Sequence, residues 1–427
     1  MFKHCAYGTA GLLALTLSAN ALADDPTPDA KPSILTLSGF GTVGAVQTNT
    51  DDGVYTTGFQ RHGATKTSDF GPDTKAGAQV DAKFNSDFSA TLQVFSKQNA
   101  KGSYAPAMEW AFGKLKVNDA FNVRVGRIGA PLFMTSDFRN VGYTNLTVRT
   151  PVDVYGLVPV RSFDGADVLY SGSFGNTTIN GQVWGGKAST LIGGSGENDN
   201  IVLLKNIIGI NVTLENGPFT VRIGSNKSHL GTDGTGLIPF NTLLGGLHAF
   251  SAAPGLSQLG SIADQLSVNG KFASFTGIGA TFDSGNWVAS AEAVERRTSS
   301  TYVSNASAWY TTLGYRIDKF TPYVSFSGRH IKSATSVAQV PVSPLLPPVV
   351  QGTVPVLIAG VNGLLRDTSE KTSALGVRWD AGKNYDIKAE VQKLTIPSGS
   401  DGALNQVTGH PPVGNTNLFS LAVDFVF

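Results

Sequence analysis

Histidine with serine or acidic neighbours is the first chemistry to look for, because together they make a nucleophile and its base. Beyond the N-terminal segment the histidines are His62, His229, His248, His330 and His410. None stands beside a pattern that specifies a triad, and no metal-ligand spacing appears. The one cysteine, Cys5, excludes disulfide frameworks and thiolate metal sites. No enzyme activity, cofactor or metal is therefore expected. What remains is fixed charge. The segment 129–164 carries Asp137, Arg139, Arg149, Asp153, Arg161 and Asp164, with Pro131 and Pro151. It runs for about 36 residues without periodicity, and a loop of that length is usually functional. A second set recurs on the polar sides of alternating segments: Lys75, Lys83, Lys97, Arg124, Arg222, Glu292, Arg296, Arg316, Arg329, Arg378, Lys388 and Glu390. Arginine's planar fork suits carboxylate and phosphate.

The overall balance is nearly neutral, 32 basic against 31 acidic side chains, which argues against a nucleic-acid partner. Charged residues make up 15% of the 427, against about 25% in an ordinary soluble domain. Glycine is abundant, at 50 residues. Length alone suggests two or three domains, but the chain organises differently. Lys3 and His4 precede an apolar run over 10–17, followed by Ala21-Leu22-Ala23. This is the pattern of a secretory signal peptide, 1–23, too short to span a bilayer as a helix. A polar, Pro-rich lead-in follows over 24–33.

The remainder, 34–427, lacks helical periodicity and alternates with period two, as a strand with two different faces does. In 385–394, Tyr385, Ile387, Ala389 and Val391 oppose Asp386, Lys388, Glu390 and Gln392. In 75–84, Ala76, Ala78, Val80, Ala82 and Phe84 oppose Lys75, Gln79, Asp81 and Lys83. The pattern predicts strands near 34–46, 74–84, 88–98, 107–117, 121–128, 165–174, 177–186 and 204–215. It continues at 219–227, 270–282, 287–297, 306–317, 320–331, 371–380, 385–395 and 417–427. Short turns rich in Asn, Asp and Gly alternate with mostly longer loops at 47–73, 129–164, 187–203, 228–269, 332–370 and 396–416. About sixteen strands, an even number, with short turns at one end and long loops at the other, predict an all-β, antiparallel transmembrane barrel. Closure gives every backbone N–H and C=O a partner, so lipid is tolerated outside.

Phe84, Phe88, Phe121, Phe174, Phe219, Phe282, Trp287, Tyr315, Phe320, Trp379 and Tyr385 flank the short turns on the apolar side. They read as an interfacial girdle. Strand 107–117 fits worst: Trp110 and Phe112 share parity with Lys114 and Lys116, so a bulge or a register error is expected there. A barrel in lipid is inverted, so its polar face lines the lumen. At about sixteen strands that lumen is too wide for side chains to fill and holds water.

With its strand count, loop alternation, opening segment Leu35-Thr36-Leu37-Ser38-Gly39-Phe40-Gly41 and terminal Phe427, the chain resembles the general diffusion porins of Gram-negative outer membranes. The resemblance covers essentially all of 34–427. It implies an outer-membrane, water-filled channel for passive diffusion of small hydrophilic solutes and ions. It also implies contact with membrane lipid and lipopolysaccharide, long loops outside, short periplasmic turns and a homotrimer. The third long loop, 129–164, is then expected inside the lumen as the constriction, with Phe133, Met134, Phe138, Tyr143 and Tyr155 packing it to the wall. The acidic Pro-Glu-Phe-Gly-Gly motif of that family's loop is absent. Mixed charge predicts instead a transverse field, Asp137 and Asp153 facing Arg124, Lys75, Lys83 and Lys97, with weak ion selectivity. The inward arginines keep open an alternative, a channel specific for small anionic solutes. The apolar loops 228–269 and 332–370 are expected to pack on each other at the mouth, or to contact lipopolysaccharide or a neighbouring protomer, with a short helix near 256–266.

Overall fold

The computed structural model describes residues 34–193, 199–407 and 413–427. The expected signal peptide and lead-in, and His410, lie outside them. Sixteen strands close into one barrel. In chain order they are β1 (Leu35–Thr48), β2 (Lys75–Lys83), β3 (Phe88–Lys97), β4 (Ala107–Lys116), β5 (Phe121–Gly129), β6 (Ser162–Phe174), β7 (Thr177–Gly193) and β8 (Asn200–Asn216). The series continues with β9 (Phe219–Asp233), β10 (Phe272–Ser284), β11 (Trp287–Thr298), β12 (Ala306–Tyr315), β13 (Phe320–Ile331), β14 (Glu370–Trp379), β15 (Tyr385–Thr395) and β16 (Thr416–Val426). Each pairs antiparallel with its sequence neighbours. The last strand zips onto the first, with Phe40 opposite Val426 and Val43 opposite Val423. No edge is left to template aggregation.

Burial shows which face meets what. Along β16, Leu418, Ser420, Ala422 and Asp424 are buried, while Phe419, Leu421, Val423 and Phe425 are exposed. The exposed set is apolar and the inward set includes a carboxylate, the reverse of a soluble barrel. The expected girdle forms in cross-strand pairs: Phe84 stacks on Phe88 at 5.3 Å, Phe219 meets Phe282 at 4.9 Å, and Trp287 meets Tyr315 at 4.8 Å. Tyr170 joins it against Phe121. At the seam, Gly39 and Gly41 lie beneath the rings of Phe427 and Phe425; an added Cβ would come within 2.2 and 2.3 Å of them. Missing side chains on β1 let the last strand's aromatics lie flat across the closure.

The misfit in β4 is a bulge. Gln93 of β3 pairs with Trp110, but the next residue, Val94, pairs with Met108. Glu109 is the extra residue. Beyond it Trp110 and Phe112 face inward with Lys114 and Lys116, so their shared parity was correct and the rings belong to the lumen side. Strands β7 to β9 run further than the alternation alone indicates, to Gly193, from Asn200 and to Asp233.

Inside the long loops, α1 (Val152–Tyr155) follows a 3-10 turn (Gly142–Thr144), and α2 (Ile238–Ser251), α3 (Gln258–Leu266) and α4 (Pro348–Leu364) form a helical cap. The two apolar loops pack on each other: Leu247, Leu259, Ala263 and Leu266 share a core with Val350, Val354, Ile358 and Val361. The helix expected near 256–266 is α3. Helices α2 and α4 were not anticipated, because their many Gly and Pro residues mask the repeat.

Candidate functional site: the loop inside the barrel

The chain between β5 and β6 turns into the barrel and is fastened to inward side chains of many strands. Arg149 is the deepest fastening. Its guanidinium donates to Asp73 at 2.9 and 2.6 Å, to Gln392 at 2.9 Å and to Ser420 at 2.6 Å, above the ring of Tyr55. Burial works against its charge, but the Asp73 carboxylate beside it outweighs this and holds the pKa above the ordinary arginine range. At the loop tip, Lys388 donates to the Gly142 carbonyl at 2.8 Å and to Asp424 at 2.9 Å, and Thr42 also donates to Asp424. Arg378 donates to the carbonyl of Tyr143 at 2.7 Å. Gly142 admits this approach because a Cβ there would meet Asp424 at 1.8 Å.

On the far wall, Glu292 accepts from the Met134 N–H at 2.8 Å and the Tyr155 hydroxyl at 3.1 Å. Arg222 donates to the carbonyls of Phe133 and Pro131 at 2.5 and 2.7 Å. Ser327 donates to Asp153 at 2.6 Å. Phe133, Val154, Tyr155 and Leu157 pack against Phe275, Val294, Tyr310 and Ile331. Phe138 and Tyr143 pack with Phe40 and Phe95. The loop is thus a fixed partition.

Toward β2, β3 and β4 the loop presents cations to cations. Lys75 and Lys97 face each other across β2 and β3. Lys75 lies within electrostatic reach of Asp424 and Asp73 and, more weakly, of Lys388 and Arg139; Lys97 lies within reach of Arg161, Arg139 and Lys75, and of Glu109. Arg139 lies over the rings of Phe133 and Tyr155 at 5.7 and 5.9 Å. Burial, then the neighbouring Arg161, pushes its pKa down to about 10, which leaves it charged at neutral pH. The carboxylate of this strip is Glu109, which takes Arg161 at 3.0 Å and Asn140 at 3.3 Å.

The six loop charges therefore separate. Arg139 and Arg161 meet Lys75 and Lys97. Asp137 is exposed, with Arg222 in electrostatic reach. Arg149 and Asp153 are buried fastenings and do not face water. Asp164 is on β6, at a position of the parity of the outward Ala166 and Val168. It pairs with Arg127 at 2.7 and 2.9 Å on the outside of the wall, so it takes no part in a constriction. The expected facing of Asp137 and Asp153 to Arg124, Lys75, Lys83 and Lys97 does not form; the wall base in reach of Asp137 is Arg222. Arg124 is occupied by Asp167 at 3.0 Å, and the loop group facing Lys75 and Lys97 is itself positive. Of the remaining wall cations, Lys83 is exposed near the short-turn end, Arg329 pairs with Glu370 at 3.3 Å, Arg378 with Asp386 at 3.1 Å, and Arg316 with Asp283 at 2.7 Å. Arg296 is held by carbonyls. Alternation gave Asp386 and Lys388 their inward face, but the contact of Lys388 and Arg378 with the loop tip needed the barrel to close. Glu109 was missed as a site residue, although the parity conflict around it marked the place. Among the histidines, His62, His229, His248 and His330 are exposed on separate segments.

The architecture is that of outer-membrane porins. OmpT, an outer membrane protein of Vibrio cholerae, aligns over 93% of this chain and 99% of its own at 10% identity, TM-score 0.51. OmpF of Salmonella typhi, solved with daunomycin, aligns over 92% and 97% at 15% identity, TM-score 0.50. An anion-selective porin from Comamonas acidovorans aligns over 92% and 99% at 12% identity, TM-score 0.49. The likenesses to OmpT and OmpF establish the fold. No protein-family model matches the sequence, and no curated protein matches it.

Proposed function

We propose that this chain is an outer-membrane porin, a water-filled channel for passive diffusion of small hydrophilic solutes and ions, with a preference for anions. The observation that carries the preference is the half-buried strip of Lys75, Lys97, Arg139 and Arg161, four cations beside Glu109, with the buried Asp424 and Asp73 behind Lys75. Neither Lys75 nor Lys97 makes an ion pair among the described residues. Fixed positive charge beside a narrow aqueous path lowers the barrier for anions and raises it for cations. The polar-in, apolar-out wall supports a membrane location, and the N-terminal pattern supports export by cleavage after residue 23. Assembly as a homotrimer in the outer membrane, in contact with lipopolysaccharide, is part of the same proposal.

Single-channel recording in asymmetric potassium chloride tests it. A reversal potential on the chloride side and closures in three equal steps are expected. A reversal potential on the potassium side would overturn the anion preference, and single-step closures the trimer. A channel specific for small anionic solutes is the second reading, favoured by the arginine-lined mouth described next. Current that saturates with solute concentration separates it from free diffusion.

A further inference from the structure

Above the strip, at the long-loop end, lies a second cationic feature built by different residues. A cavity of about 720 Å³ is lined by Arg61 from the loop after β1, Arg296 of β11, Arg329 of β13 and Arg366 just after α4. No acidic side chain is among its described lining residues. Two of these arginines have carboxylates behind them, away from the cavity: Arg329 has Glu370 at 3.3 Å and Arg366 has Asp401 at 2.7 Å. Arg296 differs. It is held by carbonyl oxygens, Leu157 at 2.7 Å and Ser304 at 2.8 and 3.1 Å. Carbonyls orient a guanidinium without neutralising it, and a guanidinium has five N–H donors. Apolar side chains share the lining, including Phe59, Val152 and Ile192, and Phe59 remains 43% exposed.

Four guanidiniums and an apolar patch facing one water-accessible space fit a particular class of molecule. We infer that this vestibule is a binding site for small organic carboxylates that carry an apolar, especially aromatic, body. The carboxylate sits at Arg296 with Arg329 and Arg366 around it, and the apolar body lies against Phe59. Guanidinium forks bind carboxylates bidentately, and an aromatic body removes Phe59 from water. Cavities of this size hold small ligands. Eight separate chain segments supply the lining, so it is a product of the closed barrel and its loops. The inference deepens the anion-channel reading of the proposed function and rests on it.

The test is chloride current through the full-length protein in planar bilayers, with benzoate, acetate or inorganic phosphate titrated on one side. Benzoate is expected to reduce the current saturably, at lower concentration than acetate or phosphate. Arg296→Gln and Arg366→Gln are each expected to raise the half-saturating benzoate concentration about tenfold, the loss of one charge-assisted contact. Phe59→Ser is expected to weaken benzoate and leave acetate unchanged. Lys319→Gln, at the short-turn end, is expected to change none of these. Chloride current without added solute shows that each variant is folded and open, and its absence in the wild type would overturn the pore reading itself. With chloride current intact, a linear response to benzoate, or equal saturation by phosphate, overturns the carboxylate site. So does a benzoate response untouched by both arginine variants.

Discussion

Arg139 and Arg149 are ten positions apart in one loop and do different work. Arg149 is fully enclosed by Asp73, Gln392 and Ser420. Arg149→Ala would leave Asp73 and Glu390 buried without their cation, a loss of about 3–5 kcal/mol for a broken buried pair. Thermal unfolding in detergent is expected to show this as a clearly lower transition. Arg139 rests on two aromatic rings and adds charge to the strip beside Lys75 and Lys97. Arg139→Glu is expected to leave the transition nearly in place while moving the reversal potential toward the potassium side. A single-residue split of stability from selectivity is the signature of a fastening beside a selectivity group. If both variants shifted both measurements equally, this division of labour would be wrong.

Strand β4 shows how an element places a side chain. One extra residue turns the strand's register, so Met108 faces out while Glu109 and Trp110 turn toward the loop. Bulges re-aim side chains in this way. Glu109→Gln keeps the bulge and removes the strip's carboxylate. Its expected result is a stronger chloride preference with unchanged barrel stability. Deleting Glu109 restores regular pairing and keeps the facing of both arms of β4, since Met108 stays opposite Val94 and Trp110 opposite Gln93. That variant is expected to unfold at lower temperature and to give fluctuating conductance, as the loop loses the partner of Arg161 and Asn140.

For the molecule as a whole, the barrel and its cap have different cores. Wall strands expose apolar residues on the outside of the barrel, whereas α2, α3 and α4 bury theirs against one another. Each apolar loop covers the other. Replacing 238–266 alone with a short polar turn is expected to expose Val354, Ile358 and Val361 and to cause aggregation, read by light scattering. Replacing both 238–266 and 337–364 is expected to leave a barrel that still migrates as folded in unheated gels. Aggregation of the double replacement would show that the cap is part of the barrel's own stability.

The strand pattern was legible in the sequence because each wall residue faces either lipid or the lumen, and that choice has period two. Alternation placed the sixteen strands, the short-turn girdle and the inward side of Lys75, Lys97, Asp386 and Lys388. Turn residues and loop lengths marked 129–164 as the segment of interest. Which loop charges meet which wall charges was not legible. Arg149 finds Asp73 across 76 positions and Ser420 across 271, and Asp153 finds Ser327 across 174. Those meetings depend on barrel circumference, on the extra residue at Glu109 and on where the loop descends. Local pattern records only which face a side chain takes. Pairing inside the barrel is a property of closure, so the tertiary structure alone decided that the loop meets Lys75 and Lys97 with a positive charge.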